Sequence, residues 1–209
     1  AEIERLLKRN DVKFLAEMMN FPGVVDGNSE VLRKIEIAKK FNKPIDGHAP
    51  GLTGEALRKY IKAGISTDHE CSSMEEALEK ISLGMKIIIR EGSAGRNLNA
   101  LKDLYRDYPE MVMLSSDDIH PEMLRKRHLD KLIARLIEEG YDVFNVIRSV
   151  TLNPVSHYKL DAGLLRTGDK ADFILVDDLK KMNVQETWIN GRKVYDRGSV
   201  LFDYKPGDQ

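Results

Sequence analysis

The chain has 209 residues, 42% hydrophobic and 32% charged, with 33 Lys and Arg against 34 Asp and Glu and a net charge of −1. Its basic residues are scattered through helical segments with no basic tract, which argues against nucleic acid or an anionic membrane surface as a partner. No apolar run reaches the ~18 residues of a membrane span, and the N-terminus has no secretory pattern, so a soluble protein is expected.

Taken in order, AEIERLLKRNDVKF reads as a helix that starts without a cap and ends near Asn10 and Asp11. A domain that opens mid-helix looks cut, so a preceding part is expected. FLAEMMNFPGV is an apolar run ending in Pro-Gly, the pattern of a buried strand and its exit loop. Glu17 lies inside that run. A carboxylate among Phe14, Leu15, Met18 and Met19 must be paired, protonated, bound to a cation or used to cap a loop.

NSEVLRKIEIAKKFN is a helix capped by Asn28 or Ser29, with Val31, Ile35 and Ala38 at helical spacing. PIDGHAPG is a short strand and loop, and TGEALRKYIKAG is a helix between Thr53 as cap and Gly64 as stop. ISTDHE is the next strand, and SSMEEALEKISLG a helix from Ser72 or Ser73 to Gly84. KIIIREGSAG, dense in β-branched residues, is a strand ending in a Gly-rich turn, and NLNALKDLYRDYP is its helix. MVMLSSDDIHP is a strand with paired aspartates at its end. HPEMLRKRHLDKLIARLIEEG reads as one long helix with Pro121 in its first turn.

These are five consecutive strand–loop–helix units, which points to a parallel α/β architecture. An ionisable residue closes or nearly closes each strand: Glu17, His48, His69, Glu91 and Asp117. One helix separates His48 from His69, so a βαβ unit puts both on the same rim, where α/β barrels keep their chemistry. Two imidazoles converging there suggest a metal site. Ordinary surface or core histidines fit the same spacing.

After Gly140 the character changes. DVFNVIRSVTLNPVSHYKL reads as two short helices with Asp142 and Asn153 as caps and Pro154 at a first helical position. GLLRTGDKADFILVDD and VQETWINGRKVYDRG form strands around Gly-Asp and Asn-Gly turns, followed by the tail VLFDYKPGDQ. Cys71 is the single cysteine, so no intrachain disulfide forms and a reducing cytoplasm is expected. It reads as a buried thiol in preference to a nucleophile. His120 opens a helix, His128 reads as solvated, His157 as packed between the two parts of the chain, and Trp188 as core of the β-rich part.

AEMMNFPGV, DGHAPGLTG, STDHE, REGSAGRNL, LSSDDIHP, TLNPVSHYKL and GLLRTGDKADFILVDDL together resemble the adenine deaminase branch of the amidohydrolase superfamily. The resemblance implies residues 1–160 as strands four to eight of a (β/α)8 TIM-like barrel, and residues 161–209 as a β-sandwich segment. It implies Glu17, His48, His69 and Asp117 as metal ligands, with Asp117 also moving protons. Glu91, Ser93 and Arg96 would face substrate, as would Asp118, for which a helix N-terminal carboxylate is the competing reading.

The implied reaction, part of purine salvage, is hydrolytic attack at C6 of adenine, giving hypoxanthine and ammonia. The implied cofactor is a divalent metal, Mn, Fe or Zn, binuclear in a complete enzyme. One departure is plain: the family's strand-one His-x-His does not occur in this sequence. The expectation is therefore a partial enzyme, a poor catalyst alone, that associates with itself or with an N-terminal part. A sister cyclic-amide hydrolase and a non-catalytic half-barrel serving binding or assembly remain alternatives.

Overall fold

The computed structural model describes residues 2–203. After α1 (Glu2–Leu7), β1 (Leu15–Met18) leads into α2 (Phe21–Val25) and α3 (Ser29–Lys40). β2 (Ile45–Gly47), α4 (Gly54–Ala63), β3 (Thr67–Asp68), α5 (Met74–Ser82) and β4 (Lys86–Arg90) then alternate. α6 (Leu98–Leu101) and α7 (Leu104–Asp107) precede β5 (Val112–Ser115). Asn28 caps α3 by accepting from the Glu30 and Val31 amides, and Ser73 caps α5. Gly64, at φ 116°, stops α4. Thr53 holds the cap position of α4 without a side-chain bond.

β1 pairs with β2, and β3, β4 and β5 pair in that order, all parallel. The ladder is interrupted between β2 and β3. The Ser66 amide still donates to Ile45 O at 3.0 Å, and Thr67 Oγ1 accepts from the Gly47 amide at 3.3 Å. Gly47 is what allows this approach, because a Cβ there would collide with the Thr67 carbonyl oxygen. All five strand C-termini thus point to one rim. Helices cover the outer side through two apolar clusters, one around Ile35, Leu57 and Tyr60 and one around Ile87, Leu101 and Leu136.

Several local expectations change. FLAEMMNFPGV is not one buried strand: of β1 only Met18 is buried, and the chain turns into α2 at Phe21. Pro22 suits a first helical turn and could not donate to a ladder, and Asn20 Oδ1 caps the turn from the Gly23 amide at 3.0 Å. NLNALKDLYRDYP divides into α6 and α7. The helix from His120 divides into α8 (Pro121–Leu124) and α9 (Leu129–Glu138), and His128 becomes the N-cap position of the second. α10 (Val143–Arg148) is capped by Asp142. α11 (Leu152–Tyr158) starts from Thr151, not Asn153, and Pro154 is its third residue. Asn153 is buried, and its Nδ2 donates to Pro109 O and Val112 O, both at 2.7 Å. One is the buried carbonyl of Val112 at the start of β5, the other that of Pro109 in the turn leading into it, and a buried carbonyl needs such a donor.

β6 (Phe173–Val176), β7 (Val184–Ile189), β8 (Arg192–Asp196) and β9 (Ser199–Val200) form one antiparallel sheet. Phe173 stacks on Trp188 at 5.6 Å. The Asn190-Gly191 turn has positive φ at both residues, as a two-residue hairpin requires. The end of the tail VLFDYKPGDQ, from Tyr204 on, lies outside the described residues. Among the described residues no helix is long and apolar enough to cross a membrane.

Candidate metal centre

Glu17 lies near the end of β1, and His48 and His69 follow β2 and β3 directly. Glu17 Oε2 is 2.9 Å from His48 Nδ1 and 3.2 Å from His69 Nε2. The two rings meet edge to face with centroids 5.2 Å apart. Glu70 joins them: its Oε1 is 3.3 Å from His48 Nδ1 and 3.5 Å from His69 Nε2. Two carboxylate oxygens therefore crowd the same two ring nitrogens. A neutral imidazole has a single N–H to give, so this arrangement calls for a proton or a metal cation between the groups. One donor atom each from Glu17, His48 and His69 lies within 4.8 Å of the others, a spacing that fits a shared ion.

Asp117 stands at the edge of this group. Its Oδ2 is 4.0 Å from His69 Nε2 and accepts from Arg90 Nη1 at 3.0 Å. The second arm of Arg90 donates to Glu70 Oε2 at 2.7 Å. Burial pushes the Asp117 carboxyl up, but the Asp118 amide and the Arg90 guanidinium outweigh it and hold the group below its ordinary value. Arg90 Nε is buried and has no hydrogen-bond partner among the described residues.

The strand ends are braced from behind. Tyr60 Oη donates to Met18 O at 2.8 Å and accepts from the His48 amide at 3.2 Å, which ties the neighbour of Glu17 to His48. Asp46 accepts from Thr67 Oγ1 at 2.8 Å and from Tyr158 Oη at 3.0 Å, and burial pushes its carboxyl up. Glu17, Asp46, His69, Arg90 and Asp117 share an open pocket of about 350 Å³ with the apolar side chains of Phe14, Ile88 and Met113.

The residues expected to face substrate do not line that pocket. Glu91 is buried and lies 3.7 Å from the Arg135 guanidinium. Glu91 and Arg96 line a neighbouring cavity that also includes Glu70 and Arg90. Ser93 Oγ accepts from the His120 amide, and the Ser93 amide donates to Asp118 O. The Asp118 side chain is solvent-exposed, and its amide donates to Asp117 Oδ1 at 2.6 Å. His157 sits against Ser66 and Tyr158, and His128 is exposed.

The amidohydrolase family model matches residues 1–194 of the chain. The chain belongs to the amidohydrolase family. Adenine deaminase of Methanosarcina acetivorans is 58% identical over 204 residues, 97% of this chain and 37% of that protein. Adenine deaminase of Salinibacter ruber is 50% identical over 206 residues, 99% of this chain and 38% of its own length. The chain thus spans little more than a third of these relatives. Among solved structures, β-aspartyl dipeptidase of Fervidobacterium islandicum superposes with a TM-score of 0.71 at 16% identity, covering 97% of this chain and 62% of that one. An enamidase superposes with a TM-score of 0.62 at 14% identity, covering 80% and 51%. At those identities the fold alone is shared.

Amidohydrolases are typically metal-dependent, and the His and Glu donors of this amidohydrolase chain suit that chemistry. Glu70 is the participant that strand periodicity misses. Strict alternation would face it away from His69, but the chain bends at His69 and turns the next side chain to the same side. Its position directly after His69 in STDHE is the one available signal.

Proposed function

We propose that this chain carries strands four to eight of a (β/α)8 amidohydrolase barrel in residues 1–160 and a β-sandwich segment in 161–209. Its role in the complete protein is metal-dependent deamination of adenine to hypoxanthine and ammonia. The observation that carries this reading is the convergence of Glu17, His48 and His69 on one point at the ends of successive parallel strands. The identity to adenine deaminases supplies the substrate class.

Glu17, His48 and His69 would hold one divalent ion, Mn, Fe or Zn, with Asp117 beside it. When bound, such an ion lowers the pKa of water to about 7. Asp117, kept below its ordinary carboxyl value in part by Arg90, would take a proton from the attacking water and return it to the ring or the leaving ammonia. A second ion would need donors from outside this chain, since no His-x-His occurs in it.

The test is ammonia release from adenine at defined metal loading. It compares this chain alone with this chain mixed with the separately made N-terminal part of the Methanosarcina acetivorans relative. Activity in the mixture, little in either part, and none after His69→Ala is the expected result. Faster release from cytosine than from adenine would defeat the substrate assignment. Absence of ammonia from every metal-loaded mixture would favour the half-barrel reading.

A further inference from the structure

We propose that a buried ionic cluster of Lys80, Asp68 and Glu76 is a positioning device that locks the His48 loop to the His69 loop. The proposal rests on reading Glu17, His48 and His69 as a metal centre, but the lock itself is a property of the metal-free fold.

Lys80 reaches inward from α5, and its side chain is fully buried. Its three ammonium protons have three acceptors: Ala49 O at 2.8 Å, Asp68 Oδ2 at 3.0 Å and Glu76 Oε1 at 2.6 Å. Asp68 Oδ1 accepts from the Ala49 amide at 2.8 Å, and its Oδ2 accepts from the Glu70 amide at 3.1 Å. Glu76 accepts from the Gly51 amide at 2.9 Å and the Ser72 amide at 3.1 Å. The residue after His48 is therefore held at both its N–H and its C=O, and the residue after His69 at its N–H. Both loops hang on one ammonium and two carboxylates.

Two physical points favour positioning. Asp68, Cys71 and Glu76 offer donor atoms close enough to hold an ion of their own. The Lys80 ammonium already bonds both carboxylates there. The cluster's cation is built in. Desolvation also makes a buried ionic group a poor source of stability, one that apolar side chains of similar volume often match. Placement directly behind two candidate ligands gives the group another reason to exist. Partners behind metal ligands typically change metal affinity by about 10–100-fold when removed.

The test uses the 209-residue chain with Lys80→Met, Glu76→Gln, and Asn153→Ala as a control at the opposite end of β5. In metal-free protein, the nuclear Overhauser contact between the His48 and His69 rings should weaken in Lys80→Met and persist in Asn153→Ala. The Ala49, Gly51 and Ser72 amides should lose exchange protection in Lys80→Met and keep it in Asn153→Ala. In a Co²⁺ titration, Lys80→Met should bind about 10–100-fold more weakly than the parent chain, and Asn153→Ala as the parent does.

Glu76→Gln keeps the size of the side chain but loses one acceptor oxygen, and it should shift the ring contact and the affinity the same way by less, so the proposal stays testable if Lys80→Met fails to fold. Unchanged ring contact and affinity in either cluster variant, or equal losses in the control, would overturn the proposal. If the parent chain bound no Co²⁺, the metal reading would fall, and the metal-free ring contact would decide the lock alone.

Discussion

Arg90 bridges Asp117 and Glu70 at the edge of the candidate centre, Nη1 to Asp117 Oδ2 at 3.0 Å and Nη2 to Glu70 Oε2 at 2.7 Å. One guanidinium thus neutralises two carboxylates, Glu70 facing both histidines and Asp117 facing His69. Arg90→Met should raise the Asp117 carboxyl, because burial then acts without its main opposing charge. A ¹³C titration of the Asp117 carboxyl in both proteins measures it. The parent group lies below its ordinary value of 3.8. Its contribution to stability is therefore complete above about pH 4 and lost as pH falls further. That acid-side loss should shrink in Arg90→Met.

Asp117 itself sits at φ 54°, in the left-handed region. Aspartate tolerates this better than most side chains, and glycine best of all. Asp117→Gly and Asp117→Ala remove the same carboxylate, so the difference between them isolates the backbone. Asp117→Gly should be the more stable by about 1 kcal/mol, read from paired urea unfolding curves. Equal stabilities would mean that the turn relaxes to an ordinary conformation.

Gly47 is the residue that lets β2 and β3 close on each other immediately before His48. Gly47→Ala should cost about 1–3 kcal/mol, the usual scale of overpacking, because the Cβ meets Thr67 backbone, which has little room to move. The same change should separate His48 from His69. Its signature is a loss of Co²⁺ affinity that Gly84→Ala, whose Cβ would enter open space, does not share.

His157 gives the fold a pH dependence on the weakly acidic side. Burial, and then the Lys86 charge, push its imidazole down to about 4. The unfolded chain, with an ordinary value of 6.5, binds the proton first. Stability from this residue is therefore complete above about pH 6.5 and declines as pH falls toward 4, by at most about 1.4 kcal/mol per pH unit. His157→Gln should flatten that decline in unfolding measurements made across the interval.

The alternation of strand and helix, the caps at Asn28, Ser73 and Asp142, and the stop at Gly64 are local matters. Each depends on a few neighbouring residues and their own backbone, so a single sequence states them. The rim placement of His48 and His69 is legible for a similar reason: parallel strands joined by one helix must present their ends together.

Other features needed the folded chain. Glu70 enters the centre because the backbone bends at His69, and no periodicity encodes that bend. Asn153 leaves its expected cap for two carbonyls more than forty residues away in sequence. Lys80, which reads as one more charge on a solvated helix, is fully buried among acceptors from two loops. Glu91 closes a strand as the pattern requires, yet faces Arg135 instead of the histidines. Sequence determined which residues stand at the rim. Tertiary structure alone decided which of them meet, because the burial and pairing of charged groups depend on neighbours that only folding brings together.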